Sequence, residues 1–149
     1  MKMRRRAALA ALWLLLVSAS ARAQTFGVRA GASADPNQFY AGAHYETEDL
    51  ADRLRFRPNV EIGVGDDRTL IAFNIEFTYR LSVRPVPMWQ FYVGGGPALN
   101  IYHATDNTHP EGGFSALAGL SHGPLFTEVK LGALKSPSFK IGVGYSFGR

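Results

Sequence analysis

The strongest constraint in this sequence is an apolar–polar alternation of period two that runs through most of the chain after residue 23. In Leu70–Leu81, the side chains of Ile71, Phe73, Ile75, Phe77, Tyr79 and Leu81 share one face, and Ala72, Asn74, Glu76, Thr78 and Arg80 share the other. Leu54, Phe56, Val60 and Ile62 oppose Arg55, Arg57, Asn59 and Glu61 in the same way. So do Phe139, Ile141, Val143, Tyr145 and Phe147 against Lys140, Gly142, Gly144 and Ser146. A helix would scatter these apolar residues around its axis, whereas a strand gathers alternate residues on one face. Eight strands are predicted: Phe26–Ala32, Phe39–Glu46, Leu54–Val64, Leu70–Leu81, Trp89–Tyr102, Phe114–Ser121, Leu125–Ala133 and Phe139–Phe147. Between them lie polar stretches rich in Gly or Pro, at residues 33–37, 65–68, 84–87, 122–124 and 135–138, which read as turns. His103–Gly113 is expected to be the longest connection.

The first 23 residues are of a different kind. Lys2, Arg4, Arg5 and Arg6 precede an apolar run from Ala7 to Val17, and Ala21-Arg22-Ala23 then fits a small-x-small cleavage pattern. That order is the order of a secretory signal peptide, and the run is too short for a membrane anchor, which needs about 20 apolar residues. The expected organisation is a signal peptide over residues 1–23 and one barrel domain over 24–149. Five of the 16 Lys and Arg residues fall in the leader, leaving 11 against 12 Asp and Glu, so the formal +4 belongs to export. Nucleic-acid binding through bulk positive charge therefore has no support. The chain has no cysteine, which removes disulfides, thiolate ligands and thiol nucleophiles.

Eight alternating strands close in one of two ways. A soluble lipocalin-like barrel turns its apolar face inward around a ligand, and an outer-membrane barrel turns it outward against lipid. Gly27, Gly31, Gly42, Gly63, Gly94, Gly96, Gly119, Gly132, Gly142 and Gly144 all share the polar face, with Gly95 the exception. Glycine weakens a strand and needs a reason. In a narrow interior the reason is room for long charged side chains. Arg29, Arg55, Arg57, Arg80, Lys130 and Lys140 nearly balance Glu46, Glu61, Glu76 and Glu128 there, and charges removed from water must be paired. Phe26, Phe39, Tyr45, Phe56, Tyr79, Phe91, Phe114, Phe139 and Phe147 lie near strand ends on the apolar face, in the manner of two interfacial girdles. Ten residues at about 3.3 Å each, tilted about 40°, cover roughly 25 Å, the height of an outer-membrane apolar band. The expected fold is all-β: an eight-stranded antiparallel up-and-down transmembrane barrel.

The closing stretch Phe126–Gly132 and Ser136–Phe147, with Phe91-Tyr92-Val93-Gly94-Gly95-Gly96-Pro97-Ala98-Leu99, resembles the small bacterial outer-membrane barrels of the OmpA/OmpX-like, opacity or porin-like superfamily. The resemblance implies insertion by the barrel assembly machinery, which reads a last strand ending in an aromatic residue. Phe139, Ile141, Val143, Tyr145 and Phe147 match that signal, although Gly148-Arg149 extends two residues beyond it. It also implies outer-membrane lipids and lipopolysaccharide as surroundings.

Candidates for chemistry are few. Ser121, His122 and Glu128 supply the residue types of a hydrolytic triad, but adjacent residues of a strand point to opposite faces. His103, Asp106, His109 and Glu111 match no metal-binding spacing, and Asp66-Asp67 lacks the oxygen ladder of a calcium loop. Gly94-Gly95-Gly96-Pro97 is followed by no helix pattern and so cradles no phosphate. The expectation is a non-enzymatic, monomeric outer-membrane barrel with no cofactor or metal, closed by paired charges and contributing to envelope structure. A lipid A or phospholipid-modifying enzyme, a narrow channel and a soluble lipocalin-like binding barrel are the alternatives.

Overall fold

The computed structural model describes residues 24–65, 68–82 and 88–148. The expected leader at residues 1–23, residues 66–67 and 83–87, and the last residue lie outside the described residues. The strands are β1 (Thr25–Ala34), β2 (Gln38–Glu46), β3 (Asp49–Ala51), β4 (Leu54–Phe56), β5 (Asn59–Gly65), β6 (Arg68–Asn74), β7 (Phe77–Arg80), β8 (Trp89–Ala104), β9 (Asn107–His122), β10 (Leu125–Leu134) and β11 (Phe139–Phe147).

These strands make eight staves, because β2–β3, β4–β5 and β6–β7 are single staves with a short interruption. The breaks have a local cause. Pro58 has no N–H for the ladder, and Thr47-Glu48 adds a residue opposite Phe56. Pairing carries across through Tyr45 N–H to the Pro58 carbonyl, Arg57 N–H to Glu76 and Ile75 N–H to Pro97. Every neighbouring pair is antiparallel, and β1 pairs with β11 from Phe26–Phe147 to Ala34–Phe139, so the sheet closes on itself. Closure satisfies the backbone without an edge, which is what a strand protein in hydrocarbon requires.

The apolar face points outward. Ile62, Phe73, Ile141 and Val143 are each about half exposed, while Glu61 and Glu76 on the opposite face are 1% and 0% exposed. The lipocalin-like alternative is thereby overturned, since its interior would be apolar. Several outward aromatics lie at the two ends of the wall. Phe26, Tyr45, Tyr145 and Phe147 neighbour one another at the end carrying the termini, and Phe39 and Phe139 flank β1 at the other.

One expectation about the connections fails. His103–Gly113 is not a long loop: β8 and β9 pair residue by residue up to a turn at Thr105-Asp106. Pro110 and Gly112-Gly113 look like breakers in the sequence, yet Pro110 sits opposite Ile101 within the ladder. It is tolerated because β9 has its last β10 partner at Gly113, opposite Leu134, so Pro110 lies on a strand with one unpaired side. The β9 arm of this hairpin runs past its last pairing with β10, while β8 stays paired with β6 up to Arg68–Ala104.

Candidate functional site

The interior cross-section is an ionic layer. Three carboxylates from three staves (Glu61 on β5, Glu76 between β6 and β7, Glu128 on β10) meet four cations: Arg29 on β1, Arg57 between β4 and β5, Lys130 on β10 and Lys140 on β11. Glu128 accepts from Arg57 at 2.6 Å and Arg29 at 3.1 Å, and the Tyr92 hydroxyl donates to it at 2.6 Å. Glu61 takes Lys140, Lys130 at 3.3 Å and Arg29 at 3.4 Å. Glu76 takes Lys130 and, at 3.5 Å, Arg57. All seven are buried. Aromatic rings complete the layer: Arg29 and Arg57 lie 5.5 Å from the centroid of Phe126, and Lys140 lies 4.6 Å from that of Tyr40.

A second set sits toward the end with the chain termini. Arg55 binds Glu46 and Asp49, both at 2.7 Å, and Arg80 also reaches Asp49. At this exposed rim the hydrogen bond from Arg55 holds the Asp49 carboxyl below the usual carboxylate range. Between the two sets, His44 Nε2 and Ser146 Oγ are 3.0 Å apart.

The opposite mouth is closed by the chain itself. Leu134 adopts a left-handed φ of 61° and turns residues 135–138 inward. The Tyr102 hydroxyl donates to the Lys135 carbonyl at 2.5 Å, and the Asn100 amide donates to the same oxygen at 3.2 Å and to Ser136 Oγ at 3.1 Å. Gly132 makes this possible, because a β-carbon there would run into the Pro137 carbonyl, which is backbone and cannot rotate aside. Gly132→Ala is therefore expected to push the turn out of the mouth at a cost of about 1–3 kcal/mol. Faster amide exchange at Lys135, Ser136 and Ser138 would register it; unchanged protection would refute it. Above the turn is an open cup of about 480 Å³, walled by Arg68, His109, Glu111 and Lys135 among others.

The structure thus places Arg29, Arg57, Glu61, Glu76, Glu128, Lys130 and Lys140 in one layer, and Glu46, Arg55 and Arg80 in another. Sequence parity missed Asp49. It follows Glu46 by three residues and falls on the wrong face of an unbroken strand, but the extra residue at Thr47-Glu48 shifts it to face Arg55. Tyr92 and Phe126 were legible, since they share parity with Gly94 and with Glu128 respectively, yet aromatic residues do not announce an interior. Gly119 and Gly144 leave the space their rings occupy.

Residues weighed for catalysis are held apart. Ser121 is buried in the interior, the His122 ring lies 5.0 Å from Trp89 at the wall, and Glu128 is engaged by Arg57 and Tyr92. Of the four residues around the apical turn, His109 Nε2 and Glu111 meet at 3.3 Å, while His103 bonds Thr108. Gly94-Gly95-Gly96-Pro97 lies within β8. Asp66-Asp67 lies outside the described residues. Phe139, Ile141, Val143, Tyr145 and Phe147 all face outward on β11, each 41–61% exposed.

No family model and no curated protein matches the sequence. Solved structures do match the fold. The chain is similar to Neisserial surface protein A, with a TM-score of 0.62 at 15% identity over 83% of this chain and 93% of that one. It is also similar to the N-terminal β-barrel domain of Pseudomonas aeruginosa OprF, with a TM-score of 0.56 at 16% identity over 83% and 97%. With its closed antiparallel sheet, apolar wall and ionic interior, the chain shares the eight-stranded antiparallel barrel fold of these two structures.

Proposed function

We propose that this chain is an integral protein of a bacterial outer membrane that contributes to envelope structure and neither conducts nor catalyses. The observation that carries this reading is the ionic layer: seven buried charged side chains cross-link five of the eight staves, above a void of only about 20 Å³. An eight-stranded barrel is narrow enough for side chains to fill it. Paired charges fixed by several hydrogen bonds resist the rearrangement that an open path would need. The termini then lie on the periplasmic side and the four turns at the other end face outward, with acyl chains and lipopolysaccharide around the wall. The outward apolar row on β11 supports its reading as the signal for the assembly machinery.

The test combines fractionation with function. The protein is expected in the outer-membrane fraction, to migrate differently in detergent gels before and after boiling, and to give no discrete current steps in planar bilayers. Release into the soluble fraction on osmotic shock would end the membrane assignment. Reproducible unitary currents abolished by Glu76→Ala would replace the plug with a channel.

A further inference from the structure

Among the described residues, the central layer carries one cation more than it has carboxylates. It sets Arg29, Arg57, Lys130 and Lys140 against Glu61, Glu76 and Glu128, and the set below it balances Arg55 and Arg80 with Glu46 and Asp49.

The void of about 20 Å³ lies between the two sets. Beside the rings of Tyr92 and Phe126, its walls carry donors: the guanidinium groups of Arg55, Arg57 and Arg80, with the hydroxyls of Thr78, Ser121 and Ser146. The single carboxylate on the wall, Glu46, is held by Arg55 at 2.7 Å. Two donors of these wall residues, Arg57 Nε and Arg80 Nε, are buried with no hydrogen-bond partner, and Arg57 itself is 3% exposed. The volume suits one small particle. Water there would accept the hydrogen bonds and leave the charge uncompensated, whereas an anion answers both demands, and a buried charge left unpaired is strongly disfavoured.

We propose that this void binds one monovalent anion of halide size, held by Arg57 and Arg80 with the Thr78 and Ser121 hydroxyls. The site is internal and structural. It rests on the interior geometry and not on the membrane assignment, so neither measurement below depends on where the protein resides or whether it conducts.

The experiment uses the full folded chain in detergent micelles. Crystals grown in sodium bromide are expected to show an anomalous bromide peak in the void. Unfolding midpoints are expected to rise saturably with chloride or bromide, compared with gluconate, which is too large to enter, at equal ionic strength. At halide concentrations about 100 times the dissociation constant the folded state gains roughly 100-fold in population. Ser121→Asp places a fixed carboxylate at the wall and is expected to abolish both the bromide peak and the halide response. Thr78→Val, which keeps shape and removes one donor, is expected to shift the halide response to higher concentration, and serves if the aspartate variant does not fold. Equal midpoints in chloride and gluconate with no bromide in the void would overturn the proposal, as would an undiminished halide response in both variants.

Discussion

Glu128→Ala is expected to be the most damaging single substitution in the interior. Its carboxylate accepts from Arg57, Arg29 and Tyr92, and lies 3.8 Å from Lys130. Truncation removes no charge but its own, so two buried guanidinium groups lose their nearest anion. Breaking a buried ion pair from one side costs about 3–5 kcal/mol, a large fraction of what a domain of this size has in reserve. Urea unfolding in micelles or vesicles, followed by the fraction that keeps its fast-migrating unboiled form, should show the midpoint falling sharply. Glu128→Gln keeps the shape and one acceptor oxygen, and is expected to lose less. A Glu128→Ala protein within about 1 kcal/mol of the parent would mean that the layer is not held as the geometry describes.

The second large effect belongs to the wall. Ile62 lies in the middle of β5, opposite Ala41 on one neighbour and Ile71 on the other, and is 51% exposed. On a water-facing surface, replacing a half-exposed isoleucine by arginine is nearly neutral. At the middle of a lipid-facing wall the same change is expected to cost about 2–4 kcal/mol, declining toward the rims. Ile62→Arg should therefore depress folding into vesicles strongly, while an arginine at Phe39, beside the turn at residues 35–37, should depress it little. Equal and small effects at both positions would remove the lipid from the account. The two substitutions probe opposite faces of the same sheet and should be additive, because Ile62 and Glu128 share no contact partner in the ionic layer.

The sequence by itself determined the class of structure and its sidedness. Alternation across Leu70–Leu81 and Phe139–Phe147 leaves strands as the economical reading, and glycine crowding beside Arg29, Glu61, Glu128 and Lys140 points the charged face inward. Both signals are local: each strand carries its own record of which face meets which medium. What the tertiary structure decided depends on registry between strands far apart in sequence. It decided that Glu128 serves Arg57 and Arg29, that Asp49 joins Arg55 through an extra residue in its stave, and that His103–Gly113 forms a ladder where breaker residues read as a loop. It also decided that residues 135–138 fold into the mouth over Gly132. Parity along one strand fixes the face a side chain takes, but its height and its partners follow only when the sheet closes and the stagger between staves brings distant residues to one level.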